Sequence, residues 1–266
     1  MCLRTTLNFK RLIGLIAVKD AQVVKSYGYS FWRPGGDLAT CLRNLDRWLV
    51  DEIAIVDISR GGVLDERVLE TIRRTPISTP LVYGGGIRSE VDVQRLLRVG
   101  CDRFIVEELA MEPNDSLQEI ADMVGVQALT VSVPVGLTLG GRLRLSTSHM
   151  QFAPDWVASL DGAQAIERLA QLPVAEVMLI DAAAEGFAGS FSLGPMLQGP
   201  LLESLGRGVI WFGGLGQDQA AHLLSHPATV AVAIGNGNLE RELAFGDLRK
   251  RLSRGTRTNL VRSVRR

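Results

Sequence analysis

Glu52-Ile-Ala-Ile-Val-Asp57 returns later in the chain as Glu176-Val-Met-Leu-Ile-Asp181. Each is a short apolar run between two acidic residues. A run apolar on both faces suits a strand buried in a parallel sheet. The neighbouring runs repeat too. Leu81-Val-Tyr-Gly-Gly-Gly86 is echoed by Ile210-Trp-Phe-Gly-Gly214, and Arg103-Phe-Ile-Val106 by Ala231-Val-Ala-Ile234. From Asp57 to Asp181 the offset is 124 residues, from Gly84 to Gly213 it is 129, and from Val106 to Ile234 it is 128. Three consecutive strands displaced by a near-constant offset point to a duplicated half.

Working outward, eight such runs are found: Leu12–Val18, Ile53–Asp57, Leu81–Tyr83, Phe104–Val106, Ala128–Val133, Val177–Asp181, Val209–Phe212 and Val230–Ile234. Between them lie helical spacings such as Val91-x-x-x-x-Leu96-Leu97 and Ala165-Ile166-x-x-Leu169-Ala170. Strands alternating with helices, in two like halves, predict an α/β fold: a single (β/α)8 TIM barrel made of two homologous half-barrels. A doubly wound open sheet is the alternative. The 266 residues are expected to form one domain, with a barrel core over about 9–252 and a basic tail over 253–266.

Composition narrows the function classes. Apolar residues are 46%, charged residues are 22% and the formal net charge is zero, so no nucleic-acid partner is expected. Cys2, Cys41 and Cys101 are odd in number without CxxC spacing, which suits reduced thiols in the cytoplasm. No apolar run approaches the roughly 18 residues of a membrane span, and residues 1–10 lack a signal-peptide core.

Gly84-Gly-Gly86 and Gly213-Gly214-x-Gly216 each follow a strand and precede a helix. Glycine there lets backbone N–H groups approach an anion. The same residues would also serve as plain tight turns.

The most specific stretch is Leu15-Ile-Ala17-Val-Lys19-Asp20-Ala-Gln-Val23-Val24-Lys25. It resembles the first strand and loop of the cyclase subunit of imidazole glycerol phosphate synthase. The likeness continues through Asp51-Glu52 to Asp57, Tyr83-Gly-Gly-Gly-Ile87, Gly100-Cys-Asp-Arg103, Glu176 and Phe212-Gly-Gly214, over about residues 9 to 250. The resemblance implies a (β/α)8 barrel with a glutaminase subunit docked on its N-terminal face. Ammonia then crosses the barrel to a phosphorylated small molecule at the C-terminal face. No cofactor and no metal are implied. Phosphate would be held by Gly85, Gly86, Gly213, Gly214, Gly235 and Gly237. Arg11, Glu52, Arg103 and Glu176 match a ring of two basic and two acidic residues that gates ammonia; position 103 is usually lysine there. Ion pairs that simply close the barrel bottom are the other reading, although a buried ion ring is costly unless fully paired.

The chain also departs from that pattern. The family's two catalytic aspartates stand at the ends of the first and fifth strands, where this sequence has Ala17 and Pro134. Neither side chain transfers a proton, and general acid–base catalysis typically contributes about 10²–10⁴-fold. After the fourth strand the family's small polar pair is replaced by Glu107-Glu108, which is expected to repel a phosphate near Gly85 and Gly86. After the sixth strand stands Glu185-Gly186-Phe187, and Ile234-Gly-Asn-Gly237 is expected to offer amides to one anion. Asp57 and Asp181 end strands at the top face and are candidate bases, or else a symmetric packed pair. Tyr27, Tyr29, Phe31 and Trp32, before Pro34-Gly-Gly36, are read as a lid or as loop anchors. His222 and His226 are four apart, but Pro227 follows and no third ligand is evident; His149 is likewise no ligand. Arg249 to Arg266 reads as a frayed basic end, or as a contact for an acidic partner.

Three functions remain open from sequence. One is a diverged cyclase-subunit homologue that conducts ammonia, as in relatives that amidate sugars for surface polysaccharides. The second is an active cyclase, a lyase of histidine biosynthesis. The third is a non-catalytic scaffold barrel.

Overall fold

The computed structural model describes residues 9–59, 61–111, 115–139, 143–146, 160–198, 201–240 and 244–255. Eight parallel strands form its centre: β1 (Arg11–Lys19), β4 (Glu52–Asp57), β5 (Leu81–Gly84), β6 (Arg103–Val106), β7 (Leu129–Leu137), β9 (Glu176–Asp181), β10 (Gly208–Phe212) and β11 (Thr229–Ile234). Each pairs with the next, and β11 returns to β1 in the register Arg11↔Ala231 to Gly14↔Ile234. That closing pair makes a barrel and rules out the open doubly wound sheet.

The first strand of each half folds back on itself. After β1 come β2 (Gln22–Tyr27) and β3 (Phe31–Gly36), both antiparallel; after β7 comes β8 (Leu143–Leu145), also antiparallel. The helices α1 (Leu38–Arg47), α2 (Glu66–Arg74), α3 (Glu90–Arg98), α4 (Glu108–Met111), α5 (Ser116–Val124), α6 (Gly162–Gln171), α7 (Leu201–Leu205), α8 (Gln217–Ser225), α9 (Gly237–Glu240) and α10 (Ala244–Gly255) surround the strands. Several start on side-chain caps. Asp37 accepts from the Thr40 N–H, Ser89 from that of Asp92, and Asp161 forms a capping box with Gln164.

The period of two along each strand divides the core into two layers. Ile13, Leu15, Ala54, Val82, Ile105, Met178, Ile180, Ile210 and Phe212 form one buried cluster, the barrel lumen. Leu12, Ile16, Ile53, Ile55, Tyr83, Phe104, Leu179 and Trp211, one residue out of step, form the layer between strands and helices.

Candidate functional site

The floor of the barrel is charged. Arg11, Glu52, Arg103 and Glu176 each share the parity of the lumen residues on their strand, one step below Ile13, Ala54, Ile105 and Met178. They converge on the axis as a closed alternating ring. Arg11 donates to Glu52 Oε1 at 3.0 Å and to Glu176 Oε2 at 2.7 Å. Arg103 donates to the same two oxygens at 2.9 Å and 2.5 Å. Burial alone would lower the Arg103 pKa; the two carboxylates outweigh it and hold the guanidinium above its ordinary value. Three ring members come from the first half of the chain and only Glu176 from the second. The duplication therefore supplies the two glutamates, while both arginines belong to the first half.

Above the ring the lumen is lined mainly by apolar side chains, with the hydroxyls of Thr130 and Ser132 among them, and reaches Ala17 and Pro134 at the top. Ala17 follows Ile13 and Leu15 on the inner side of β1. On β7, Leu129, Val131, Val133 and Val135 pack in the outer layer, so Thr130, Ser132 and Pro134 face inward. Ala17 and Pro134 thus face the same space.

Asp57 and Asp181 do not. Each lies an odd number of residues from its strand's lumen-facing glutamate and points into the outer layer. Asp181 is fully buried and accepts from Ser192 N at 2.6 Å, Ser192 Oγ at 2.8 Å and Ala184 N at 3.2 Å. Both its oxygens are engaged in holding the loop after β9. Asp57 accepts from Ser59 N at 2.8 Å and lies beside Tyr83. Burial pushes the Asp57 pKa up, against the pull of the Ser59 hydrogen bond; burial and the Asp57 carboxylate push the Tyr83 phenol up. The two carboxylates occupy matching places at the ends of β4 and β9, outside the lumen layer.

The glycine turns obey the duplication closely. Gly85 and Gly86 have φ of 93° and 71°; Gly213 and Gly214 have 103° and 64°. A Cβ on Gly85 would fall 2.1 Å from Asp57 O, and one on Gly213 would fall 2.5 Å from Asp181 O. Packing against the strand end demands glycine at these positions whether or not an anion binds.

The second-half turn opens on a cavity of about 320 Å³. Gly213, Gly214, Gly235, Asn236 and Gly237 form one side, and Tyr27, Glu185 and Phe187 the other. The charge contrast expected between the halves is corrected here. Glu108, next to the first-half turn, is matched by Arg88 through two hydrogen bonds of 3.0 Å. The second-half cavity carries its own carboxylate, Glu185. Spacing gave no sign of the first pairing, since Arg88 reaches Glu108 across helix α3 and strand β6.

Glu185 is a latch. It is 3% exposed, and its Oε2 accepts from Ser26 Oγ at 3.0 Å and from Tyr29 N at 3.2 Å. Its backbone oxygen accepts from Gly28 N at 3.0 Å. Asn236 Nδ2 adds a 2.7 Å bond to Ser26 O. Burial raises the Glu185 pKa, partly offset by its bonds to Tyr29, Ser26 and Gly28. The latched hairpin tip is strained: Gly28 and Tyr29 both have left-handed φ, 58° and 52°. The turn drives Tyr29 inward against the lumen cluster. Burial, then the charges of Glu185 and Glu107, raise its phenol pKa well above normal. Of the four aromatic residues in this loop, Tyr29 is the anchor, whereas Phe31 and Trp32 stay exposed.

The remaining candidates are quickly placed. His226 caps the end of α8 and its Nδ1 accepts from Ala228 N at 3.2 Å. Among the described residues no group of three or more His, Cys, Asp or Glu is arranged to hold a metal, and no helix is long and apolar enough to cross a membrane. His149 lies outside the described residues. The basic end does not begin to fray at Arg249: α10 continues to Gly255, and Arg249 bonds Asp51 Oδ1 at 2.8 Å and Leu49 O at 2.9 Å. Residues 256–266 lie outside the described residues.

Comparison with known proteins matches residues 11–243 to the family described as "Histidine biosynthesis protein". Among curated proteins, the chain is 30% identical to the imidazole glycerol phosphate synthase subunit HisF of Kineococcus radiotolerans, over 75% of this chain and 82% of that protein. It is 28% identical to the subunit HisF of Streptomyces coelicolor, over 90% of this chain and 92% of that protein. It is also 28% identical to the subunit HisF of Thermobifida fusca, over 75% and 82%. A closed eight-stranded parallel barrel, a family match over nearly its whole length and relatives of this identity agree, and the chain belongs to the histidine biosynthesis protein family, as a homologue of its cyclase subunits.

Proposed function

We propose that this chain partners a glutaminase subunit in the cytoplasm and passes ammonia through the barrel to a phosphorylated acceptor, without carrying out the cyclase reaction itself. The observation that carries the reading is the four-charge ring on the barrel axis beneath a mainly apolar lumen. Neutral ammonia crosses apolar surface far more cheaply than ammonium, and the ring admits it where the ions would be held. Glu52 keeps its Oε2 buried and outside the ring's hydrogen bonds, an acceptor for an entering N–H.

The loss of cyclase chemistry follows from Ala17 and Pro134, which face the lumen mouth and have no proton to give. The acceptor's phosphate is assigned to the second-half cavity because Gly213, Gly214, Gly235 and Gly237 line an open space there, while Glu185 Oε2 is turned to Ser26 and Tyr29. The amidation of a sugar fits this arrangement as the finer form of the reading. A working cyclase is the second reading, favoured by the likeness to HisF subunits; it would have to draw on Glu107 and Glu185, the carboxylates whose charge Tyr29 feels at the mouth.

The glutaminase is assigned to the N-terminal face, where Phe9 and Leu49, on the segments that lead into β1 and β4, are 47% and 50% exposed. The test is complex formation with a glutaminase of this enzyme class by analytical ultracentrifugation. A one-to-one complex that Leu49→Glu abolishes supports the assignment. A complex indifferent to Leu49→Glu and Phe9→Glu, or none at all, refutes it.

A further inference from the structure

A smaller cavity lies between α1 and α9 and shares no lining residue with the glycine-lined one. It measures about 180 Å³. Asp37, Thr40, Cys41, Asn44, Leu45 and Trp48 line it from one side. Their spacing of three and four residues is one face of α1, from N-cap to C-cap. Asn238 and Leu239 supply the wall from α9, and Gly35 and Gly36 complete it.

Two of these residues carry polar atoms that the fold does not pair. Asn238 is 2% exposed, and its Nδ2 donates to two strand carbonyls, Leu15 O at 3.1 Å and Ile234 O. Those carbonyls fix which way the amide points. They leave Oδ1 buried and without a hydrogen-bond partner. Trp48 Nε1 is buried and unmet in the same way. Nearly all buried polar groups are hydrogen-bonded, so two exceptions at one cavity point to something that fills it. The space far exceeds the roughly 10–15 Å³ that a single water needs.

The two atoms are of opposite kinds. An indole N–H only donates, and the Asn238 Oδ1 only accepts. An occupant that meets both needs an acceptor and a donor of its own. An anion would meet the Asp37 carboxylate, which the Thr40 amide holds below its ordinary pKa through a 2.8 Å bond. That same bond takes up an N–H at the head of α1 that an anion would otherwise use. A cation would leave the indole N–H without an acceptor. The occupant is therefore uncharged, and Leu45, Leu239 and Cys41 suit it to a short apolar body.

We propose that this cavity binds a small neutral carboxamide, whose oxygen accepts from Trp48 Nε1 and whose NH2 donates to Asn238 Oδ1. The site is distinct from the ammonia path and from the acceptor cavity, and it does not depend on the function proposed above. Asn238 ties β1 to β11, the pair that closes the barrel, so occupancy steadies that seam.

The test uses the full chain and three probes of similar size: propionamide, propionate and propylammonium. Binding is read by NMR at the Trp48 indole N–H, assigned by its loss in Trp48→Phe. Propionamide should shift it saturably at about millimolar concentration, the strength open to so small a molecule. Propionate and propylammonium should bind about tenfold more weakly or worse, each leaving one buried polar atom unmet. Trp48→Phe keeps an aromatic ring and removes the donor. In it, propionamide binding, followed at the Leu239 methyl groups, should weaken about two- to tenfold, the worth of one hydrogen bond. Cys41→Leu adds bulk at the cavity wall and should abolish binding in a protein that still melts cooperatively. Equal affinity for the three probes overturns the proposal, as does a propionamide affinity indifferent to both variants. So does an indole N–H that exchanges magnetisation with water and is unmoved by propionamide, which would mean that water alone fills the cavity.

Discussion

Glu52 and Asp57 occupy the two ends of one six-residue strand and point to opposite sides of it. Glu52 faces the barrel axis, where it binds two arginines, and Asp57 faces the helix layer, where it meets Ser59 and Tyr83. The second half repeats the arrangement in Glu176 and Asp181. The two aspartates differ in how fully they are used. Asp181→Asn keeps one acceptor oxygen and turns its amide NH2 toward either the Ser192 or the Ala184 donors, which lose their partner, and should cost about 1–3 kcal/mol in stability. Asp57→Asn removes a carboxylate whose burial already opposes its charge, and should cost clearly less. Urea melts of the two variants at neutral pH check this; equal losses would contradict the assigned difference.

Gly214→Ala should destabilise the fold by about 1–3 kcal/mol, since its backbone is left-handed and a Cβ would fall 2.5 Å from Ala184 O. Gly237→Ala should be nearly neutral: its φ is ordinary and its Cβ would meet only Ile234 Cγ2, at 3.2 Å. Thermal melts of the two variants separate the backbone requirement from any ligand effect. A Gly214→Ala protein as stable as Gly237→Ala would mean that the turn relaxes freely.

Glu185 gives a pH dependence of known sign. Its folded pKa is raised, so its stabilising contribution is fully present below the ordinary glutamate value near 4.5 and is lost as pH rises through the higher folded value. Glu185→Gln keeps an oxygen for Ser26 and Tyr29 and removes the titration. The stability difference, variant minus wild type, should therefore grow in the variant's favour across that window. Denaturant melts from pH 4 upward read it directly; a flat difference means Glu185 keeps an ordinary pKa.

With saturating ammonium, turnover of the histidine-pathway intermediate that HisF subunits process should be negligible, because Ala17 and Pro134 face the lumen without a titratable group. Ala17→Asp alone should not restore it, the second position still being proline. A kcat in the ordinary range of about 1–10³ s⁻¹ would show that other groups do the proton transfer.

The barrel was legible because buried parallel strands must be apolar on both faces, and two like sets recur at a near-constant offset. The ring residues were legible for a related reason: each charged residue stands immediately before an apolar run. The orientation of Asp57 is equally legible, since five residues along a strand reverse the face. Other features leave no local trace. Glu185 meets Ser26 and Tyr29 across more than 150 positions, and Arg88 meets Glu108 across 20. Both pairings exist only once the loops lie together on one face. The inward turn of Tyr29 depends on two successive left-handed residues, of which only Gly28 is a glycine.

The conduit is tested most directly by isotope competition in the complex with its glutaminase. Amide-labelled glutamine is supplied against unlabelled ammonium in the medium, and the label in the amidated product is measured for the unaltered chain and for Arg103→Ala. The account predicts that the unaltered complex delivers labelled nitrogen almost exclusively. Arg103→Ala, which opens the ring between Glu52 and Glu176, should let the label equilibrate with the medium while amidation from added ammonium continues. Label diluted by the medium in the unaltered complex, or full retention of label in Arg103→Ala, would contradict passage of ammonia through the gated barrel.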